Sequence, residues 1–140
     1  MISIRPADAD DLEALNSLDH VARTDAGRRE FIERAVREGT CHVAVAGGEV
    51  VGYGVLNYNF YQHGLVDMLY VRDGHRRRGV GAVLLRELEG LCRTPKLFTS
   101  TNQSNLPMQA LLERMGFAPS GVIHNLDEGD PELVYFKRLR

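Results

Sequence analysis

The sequence predicts an α/β fold with a mixed, mostly antiparallel central sheet flanked by helices. Segments with the periodicity of strands alternate with amphipathic helical segments along the chain. The pair Gly47-Gly48 separates two apolar runs, which is typical of a β-hairpin turn. A glycine-rich, basic turn at residues 72–81 joins an apolar strand to an amphipathic helix, an arrangement found in α/β proteins.

The first half of the chain predicts one strand, two helices and three further strands. The opening strand, Ile2 to Arg5, stops at Pro6. Asp8 is suited to cap the first helix, whose leucines share one face. The second helix spans about residues 25–37 and ends at Gly39. The three strands cover residues 40–46, 49–58 and 65–71.

The second half of the chain predicts alternating helices and strands. The helix after the glycine turn carries apolar residues at helical spacing and is closed by Pro95, and the next helix ends at Gly116. The predicted elements are a helix from residue 80, a strand at 96–101, a helix at 106–115 and strands at 117–125 and 133–139. The order is therefore β-α-α-β-β-β-α-β-α-β-β, which we expect to form a single domain over residues 1–140.

Composition limits the classes of function. Hydrophobic residues make up 44% and charged residues 26% of the chain, as in globular proteins with a core, and the net charge of -2 gives no general attraction to nucleic acid. No apolar run approaches the roughly 20 residues of a membrane span, and the first residues lack the apolar region of a signal peptide. Cys41 and Cys92 are far apart in sequence and are expected in the core as reduced thiols. We therefore expect a cytoplasmic protein that binds neither nucleic acid nor membranes.

The residues from Val71 to Gly81 predict a phosphate-binding turn. Glycines let the backbone approach a ligand closely, and the free N–H groups of a helix start favour an anion. A Walker A loop is excluded because Val80 and Gly81 stand where that motif has Lys and Ser or Thr. A dinucleotide fingerprint is excluded because Leu84 stands at the third glycine position. The pattern that remains is Arg-x-x-Gly-x-Gly between a strand and a helix.

This pattern and its surroundings resemble the GCN5-related N-acetyltransferase (GNAT) family. The resembling residues are Leu69-Tyr70-Val71, Arg76 to Gly81, Asn105 and Glu113 to Phe117, and the element order matches the fold of that family over the whole chain. The resemblance implies acetyl-CoA as co-substrate. It implies that backbone N–H groups of the turn bind the pyrophosphate, that the arginine side chains bind CoA phosphates, and that the strand pairs with the pantetheine arm. The residues implied in binding are Leu69, Tyr70, Val71, Arg76, Arg77, Arg78, Gly79, Val80, Gly81 and Asn105.

The resemblance also implies an activity, the transfer of acetyl to a primary amine of a small molecule or peptide. It implies direct attack in a ternary complex and no metal. The usual acid of the family is a tyrosine before the Gly-Phe pair, and in this chain that position holds Leu112. Tyr58, Tyr61 and Tyr70 lack the family spacing. A second hypothesis is therefore a non-catalytic acyl-CoA sensor or interaction module.

Asp67 is the candidate base. A period of two places it on one face with Leu65, Leu69 and Val71, and a carboxylate on an apolar strand face is often functional. The alternatives are a hydrogen-bonded structural aspartate or a bulge that turns the side chain outward. His63 and His124 are secondary candidates.

The acceptor itself is not named by the sequence, since proteins of one fold act on many substrates. The acidic turn Asp127 to Asp130 fits a solvated hairpin tip, and it also fits attraction of a cationic amine. The polar run Thr99 to Asn105 at a strand end is expected to line a ligand site. Exposed strand edges make a homodimer possible.

Overall fold

The computed structural model describes all 140 residues, and its element order confirms the predicted fold class. The elements are β1 (Ile2–Pro6), α1 (Leu12–Leu18), α2 (Ala26–Glu38), β2 (Cys41–Ala46), β3 (Glu49–Phe60), β4 (His63–Val71), α3 (Val80–Leu91), β5 (Lys96–Asn102), α4 (Leu106–Arg114), β6 (Ala118–Ile123) and β7 (Glu132–Arg138). The seven strands follow the order β1-β2-β3-β4-β5-β7-β6. β4 and β5 pair in parallel, whereas β1–β2, β2–β3, β5–β7 and β6–β7 are antiparallel.

The chain divides into two compact units. The first contains Met1–Leu56 and Met68–Gly90, and the second contains Asn57–Asp67 and Leu91–Arg140. That residues 1–140 act as a single domain stays a prediction. No helix is long and apolar enough to cross a lipid bilayer.

The starts of the two helices in the first unit differ. Asp8 accepts a hydrogen bond from Asp10 N and belongs to the capping box of a short 3-10 helix, Ala9–Asp11, so it does not cap α1 as predicted; α1 follows directly and begins without a side-chain cap. Asp25 caps α2 by accepting from Arg28 N at 3.1 Å. Gly39 ends α2 with φ of 77°, a conformation that favours glycine. The buried faces of both helices pack on a core that includes Val43, Tyr53, Val55 and Tyr70 from the strands.

A β-bulge lies in β3 of the first unit, at the position where this strand packs against α3. Ala44 pairs with Gly52 but Val45 pairs with Val50, so Val51 is the extra residue. Val51 packs with Val80 and Leu84 of α3. A Cβ on Gly52 would lie 2.8 Å from the Tyr70 carbonyl oxygen, and a Cβ on Gly54 would lie 2.8 Å from Leu88 Cδ1. The two glycines therefore let the backbone of β3 approach its neighbours closely.

The second unit contains the parallel pair and the final hairpin. Gly64 to Val66 of β4 pair with Leu97 to Thr99 of β5, and the Thr99 hydroxyl donates to Val66 O at 2.9 Å. All residues of β6 are exposed, whereas Val134 and Tyr135 of β7 are buried. The hairpin between β6 and β7 confirms the predicted pairing around the acidic turn.

Candidate functional site

The glycine-rich turn lies between the end of β4 at Val71 and the start of α3 at Val80. Its backbone takes positive φ at Gly74 (89°), Arg77 (66°) and Gly79 (83°). The first helical hydrogen bond runs from Val83 N to Gly79 O at 3.0 Å. The N–H groups of the first residues of α3 therefore have no acceptor within the helix, and the helix dipole adds partial positive charge at the same place. We call residues 72–81 the cradle.

The entry of the cradle is held in place by Arg76. Its Nε donates to Val71 O at 3.1 Å, its Nη2 lies 3.4 Å from Asp73 Oδ1, and its guanidinium carbon lies 5.4 Å from the centre of the Tyr70 ring. The side chain thus ties the turn to the strand before it. A planar guanidinium suits these contacts, because it donates in fixed directions and stacks on aromatic rings.

Glu49, at the start of β3, contacts the same part of the cradle. Its carboxylate lies 3.6 Å from Arg72 Nη1 and 3.9 Å from His75 Nε2. The backbone N–H of Arg72 donates to Val51 O at 2.8 Å, which continues the sheet into the turn. No local sequence pattern marks Glu49, because its contacts lie more than 20 residues away along the chain.

Arg77 and Arg78, in contrast, are exposed and make no ion pair or side-chain hydrogen bond within the protein. Gly79 is also exposed, and no atom lies within 4 Å of the position that a Cβ would take there. The second half of the cradle therefore offers two guanidinium groups and a helix start to solvent. This set of donors suits an anion with several oxygens, such as a phosphate or pyrophosphate.

Leu69, Tyr70 and Val71 lie at the end of β4 and alternate between two faces. Leu69 and Val71 pack beside Val80 and Leu84 of α3. The buried ring of Tyr70 points to the core covered by α1 and α2. The strand role that the resemblance implies is a backbone role, so these side chains neither support nor exclude it.

The hydroxyl of Tyr70 meets His20, a contact that the sequence did not predict. His20 lies in the segment between α1 and α2, and its backbone N–H donates to the hydroxyl at 3.1 Å. The Nδ1 atom of its ring is also hydrogen-bonded to this hydroxyl. Tyr70 in turn stacks on Tyr53, with 6.1 Å between ring centroids. The two contacting residues are 50 positions apart, so no local pattern indicates the pair.

Asp19, next to His20, is fully buried and holds the second tyrosine. The Tyr53 hydroxyl and Arg28 Nη1 each donate to Asp19 Oδ2 at 2.6 Å, while Val21 N and Ala22 N donate to Oδ1. Burial alone would raise the pKa of Asp19, but the hydrogen bonds from Tyr53 and Arg28 and the charge of Arg28 outweigh burial and lower it. Asp19 is therefore a structural carboxylate whose partners are all protein groups.

Asp67, the candidate base, is exposed on β4, although Leu69 and Val71 on the same face are half-buried. Its Oδ2 accepts a hydrogen bond from Asn57 Nδ2 at 2.9 Å. The buried positions of this strand are Gly64, Val66 and Tyr70 on the other face. The role of Asp67 therefore rests on its strand position and stays a prediction.

Asn105 lies at the start of α4 in the second unit. Its Oδ1 caps the helix by accepting from Met108 N at 3.2 Å, and the residue is exposed. Leu112, at the position of the family tyrosine, is fully buried and offers no proton. Contact of Asn105 with CoA stays a prediction.

The acidic turn between β6 and β7 is tied to the end of β5. Asp130 accepts from Ser104 N and from the Ser104 hydroxyl, at 3.0 and 2.6 Å, and Asp127 accepts from Asn102 Nδ2 at 2.8 Å. The polar run that was expected to line a ligand site thus contributes to holding this turn. An open cavity of about 340 Å³ lies here, lined by Gln103, His124, Asn125, Asp127, Glu128, Gly129, Asp130 and Pro131. No group of His, Cys, Asp and Glu side chains in the chain is arranged to hold a metal ion.

Comparisons with known proteins place this geometry in a known group. The model of the acetyltransferase (GNAT) family matches residues 9–117. A GNAT-family acetyltransferase from Bacillus cereus ATCC 10987 is similar at 32% identity and a TM-score of 0.92, covering 99% of this chain and 97% of the other. Two more distant structures share the fold. One is the protein yncA of Salmonella typhimurium with its cofactor acetyl-CoA (20% identity, TM-score 0.79, 99% and 94% covered).

The other is the ribosomal-protein-S18-alanine N-acetyltransferase of Escherichia coli (17% identity, TM-score 0.82, 99% and 94% covered). A search among curated proteins gives no match.

Proposed function

Because the chain belongs to the acetyltransferase (GNAT) family, we propose that it transfers an acetyl group from acetyl-CoA to a primary amine. The acceptor is a small molecule or a peptide, and the amine attacks the thioester directly in a ternary complex. The observation that carries this proposal is the unpartnered set of donors in the second half of the cradle. The side chains of Arg77 and Arg78 have no protein acceptor, and the first N–H groups of α3 have none within the helix; in this proposal the CoA phosphates supply the acceptor oxygens.

The roles of the cradle arginines differ in this proposal. Arg76 keeps the turn in shape through its bonds to Val71 O and Asp73. Arg77 and Arg78 bind CoA phosphates, and the N–H groups of Gly79 to Gly81 bind the pyrophosphate. The backbone of Leu69 to Val71 pairs with the pantetheine arm. The amide of Asn105, which has a free Nδ2 beyond its capping contact, donates to CoA.

The acceptor amine loses a proton before or during attack, and Asp67 is the proposed base. Its exposed carboxylate, oriented by Asn57, accepts this proton directly or through water. The acidic turn gives the second unit a local negative potential that favours a cationic amine. The ribosomal-protein acetyltransferase among the structural neighbours supports a peptide amine as one acceptor class.

The test is binding and turnover of acetyl-CoA in the parent and in Gly79→Glu. Titration calorimetry measures binding, and mass spectrometry measures acetylation of free lysine, a polyamine and a peptide with an N-terminal alanine. We expect Gly79→Glu to lose acetyl-CoA binding at least about 100-fold, because it adds a negative charge where phosphate binds and a side chain at φ of 83°.

Gly39→Glu is the matched control, because Gly39 has a similar φ of 77° and equally open space. It carries the same strain and charge away from the cradle, so its binding should equal that of the parent. If Gly79→Glu binds acetyl-CoA as tightly as Gly39→Glu does, the cradle is not the cofactor site.

A second candidate function, an acyl-CoA sensor or interaction module, is favoured by one observation. Leu112 is fully buried where the family has its tyrosine, so the usual acid is missing. The same assay separates the two functions. Tight binding of acetyl-CoA with no acetylation of any amine, and no effect of Asp67→Asn, would identify a sensor.

A further inference from the structure

We propose that Tyr70 is the proton donor to the departing CoA thiolate and that His20 resupplies its proton. This inference rests on the proposed function and addresses the gap left by Leu112. Tyr70 lacks the spacing of the family tyrosine. The structure nevertheless gives it a hydrogen-bond partner, His20, that the spacing does not reveal.

The hydroxyl of Tyr70 is bonded in the way a proton donor requires. The backbone N–H of His20 donates to it at 3.1 Å, and His20 Nδ1 is a second partner. When Nδ1 carries the ring proton, the phenol oxygen accepts twice and its own hydrogen is free for a third group. His20 is exposed, whereas Tyr70 is 9% exposed, so the pair connects a buried hydroxyl to solvent.

The surroundings of Tyr70 hold its ring rigidly. Its ring stacks on Tyr53, whose hydroxyl donates to the buried carboxylate of Asp19, which Arg28 also contacts. The guanidinium of Arg76 lies 5.4 Å from the ring centre on a cradle residue. A guanidinium over an aromatic ring is attracted to its face. Tyr70 is thus positioned by the same arginine that shapes the cradle.

The position of Tyr70 also favours it over the other tyrosines. It belongs to the stretch Leu69 to Val71, which is proposed to pair with the pantetheine arm and therefore to lie near the thioester. Tyr61 is 83% exposed, with only the ring of Phe60 against it, and Tyr58 OH accepts from Arg93 N in the second unit. Neither has a titratable partner that would return a proton to it.

The proposed step balances as follows. The amine nitrogen forms a bond to the acetyl carbon, the carbon–sulfur bond breaks, and the thiolate takes the phenolic proton of Tyr70. The Nδ1 proton of His20 passes to the Tyr70 oxygen while Nε2 takes a proton from water, so the ring stays neutral, and exchange with water then returns the ring proton to Nδ1. The proton lost by the amine leaves through the base, so no other reactant is needed.

The decisive variants are Tyr70→Phe and two substitutions of His20. Tyr70→Phe keeps the ring that stacks on Tyr53 and removes only the hydroxyl. We expect kcat to fall about 10- to 100-fold, toward the lower end of the range for loss of a general acid because a thiolate leaves readily. The KM for acetyl-CoA should stay within about twofold, and the solvent deuterium isotope effect on kcat should decrease, because proton transfer from the tyrosine no longer contributes to it. Tyr135→Phe, a buried tyrosine of the second unit, is the matched control and should change neither.

The His20 variants separate proton transfer from positioning. His20→Asn places an amide near Nδ1, so it keeps a hydrogen bond to Tyr70 but transfers no proton. It should lose about 10-fold in kcat, whereas a purely structural role predicts parent activity. His20→Ala should lose as much and recover several-fold with added imidazole, because the site is exposed.

The outcomes distinguish this inference from the proposed function. The inference is overturned if Tyr70→Phe keeps the kcat and isotope effect of the parent, or if His20→Asn keeps full activity. In either case the proposed acetyl transfer still stands. Nitrogen NMR of His20 in the protein alone gives a readout that needs no acceptor. A proton on Nε2 instead of Nδ1 at neutral pH also overturns it. If no amine is acetylated although Nδ1 carries the proton, the proposed function is what fails.

Discussion

Two charged regions of the first unit are built in opposite ways. Around Asp19, both carboxylate oxygens are bonded to protein donors, namely Tyr53, Arg28 and two backbone N–H groups. In the second half of the cradle, Arg77 and Arg78 have no protein partner. Both regions are rich in charge, but only one has unused hydrogen-bonding capacity. Charge alone therefore does not distinguish the two regions; the difference is that only the cradle has donors left for an acceptor from outside the protein.

The largest expected effect is on stability, from Asp19→Ala. Removing the carboxylate leaves the buried Tyr53 hydroxyl and the half-buried Arg28 guanidinium without their partner. Loss of one member of a fully buried pair costs about 3–5 kcal/mol in the free energy of unfolding, and we expect the lower end of that range here. Urea denaturation measures this loss. Asp10→Ala, at an exposed position, should stay within about 0.5 kcal/mol of the parent. A loss below about 1 kcal/mol for Asp19→Ala would remove the contrast between the two regions.

The pH dependence of this stabilisation has a definite sign. The pKa of Asp19 is lowered in the folded protein by Tyr53 and Arg28 against the opposing effect of burial. Its contribution is therefore complete above the unfolded value of about 3.9 and is lost as pH falls through the folded-state pKa. The difference in stability between the parent and Asp19→Ala should shrink from pH 5 toward pH 2. A constant difference over that range would contradict this assignment.

Gly52→Ala should displace the residues on which the cradle is supported. The added Cβ lies 2.8 Å from the Tyr70 carbonyl oxygen and 3.2 Å from Val80 Cγ1, so either the end of β4 or the start of α3 must shift. We expect a loss of about 1–3 kcal/mol in stability and weaker binding of acetyl-CoA. Gly90→Ala, in α3, is the control. The space around its added Cβ is open, so it should leave binding of acetyl-CoA unchanged. Parent affinity in Gly52→Ala would show that the cradle tolerates displacement of its supports.

Replacing both Arg77 and Arg78 by alanine tests the open region directly. Acetyl-CoA affinity should fall about 10- to 100-fold at low salt, and its salt dependence should weaken, because two charge-assisted contacts are lost. Stability should change by less than about 0.5 kcal/mol, since both side chains are exposed and make no ion pair or side-chain hydrogen bond within the protein. The double variant Arg34→Ala with Arg37→Ala removes the same charge from α2 and controls for net charge. Equal affinities in the two double variants would remove the phosphate role.

Arg76→Lys is expected to have the smallest effect. Lysine keeps the charge but loses the paired contacts of the guanidinium to Val71 O and Asp73 Oδ1. These contacts are largely exposed, so stability should fall by less than about 1 kcal/mol. Acetyl-CoA affinity should drop less than in the double variant of Arg77 and Arg78. A larger drop would mean that Arg76 binds the ligand and does not only support the loop.

The parts of the fold that local sequence encodes were predicted correctly. Gly47 and Gly48 form the expected hairpin turn with φ of 58° and 76°, and Gly39 ends α2 as expected. The boundaries of α3 follow from the glycine turn before it and Pro95 after it. In each case the signal is a residue with a special backbone conformation next to a periodic segment.

The parts that depend on distant contacts were not predicted. Asp19 and Tyr53 are 34 residues apart and His20 and Tyr70 are 50 residues apart, so neither pair leaves a local pattern. The run of three arginines also hides a division of roles, because only Arg76 folds back onto the strand. The exposure of Asp67 was missed because period two assigns a face but not the depth of each residue on it.

The two cysteines have a practical consequence. Both are buried and unpaired, and burial, together with the charge of Asp11, raises the pKa of the Cys41 thiol to about 12. A chromogenic disulfide reagent, which needs an accessible thiolate, should therefore leave the folded protein untouched at neutral pH. In a reaction mixture, the colour developed by this reagent would therefore measure only the free CoA that the reaction releases. The same colour from the protein alone, two equivalents per chain, would report that it has unfolded.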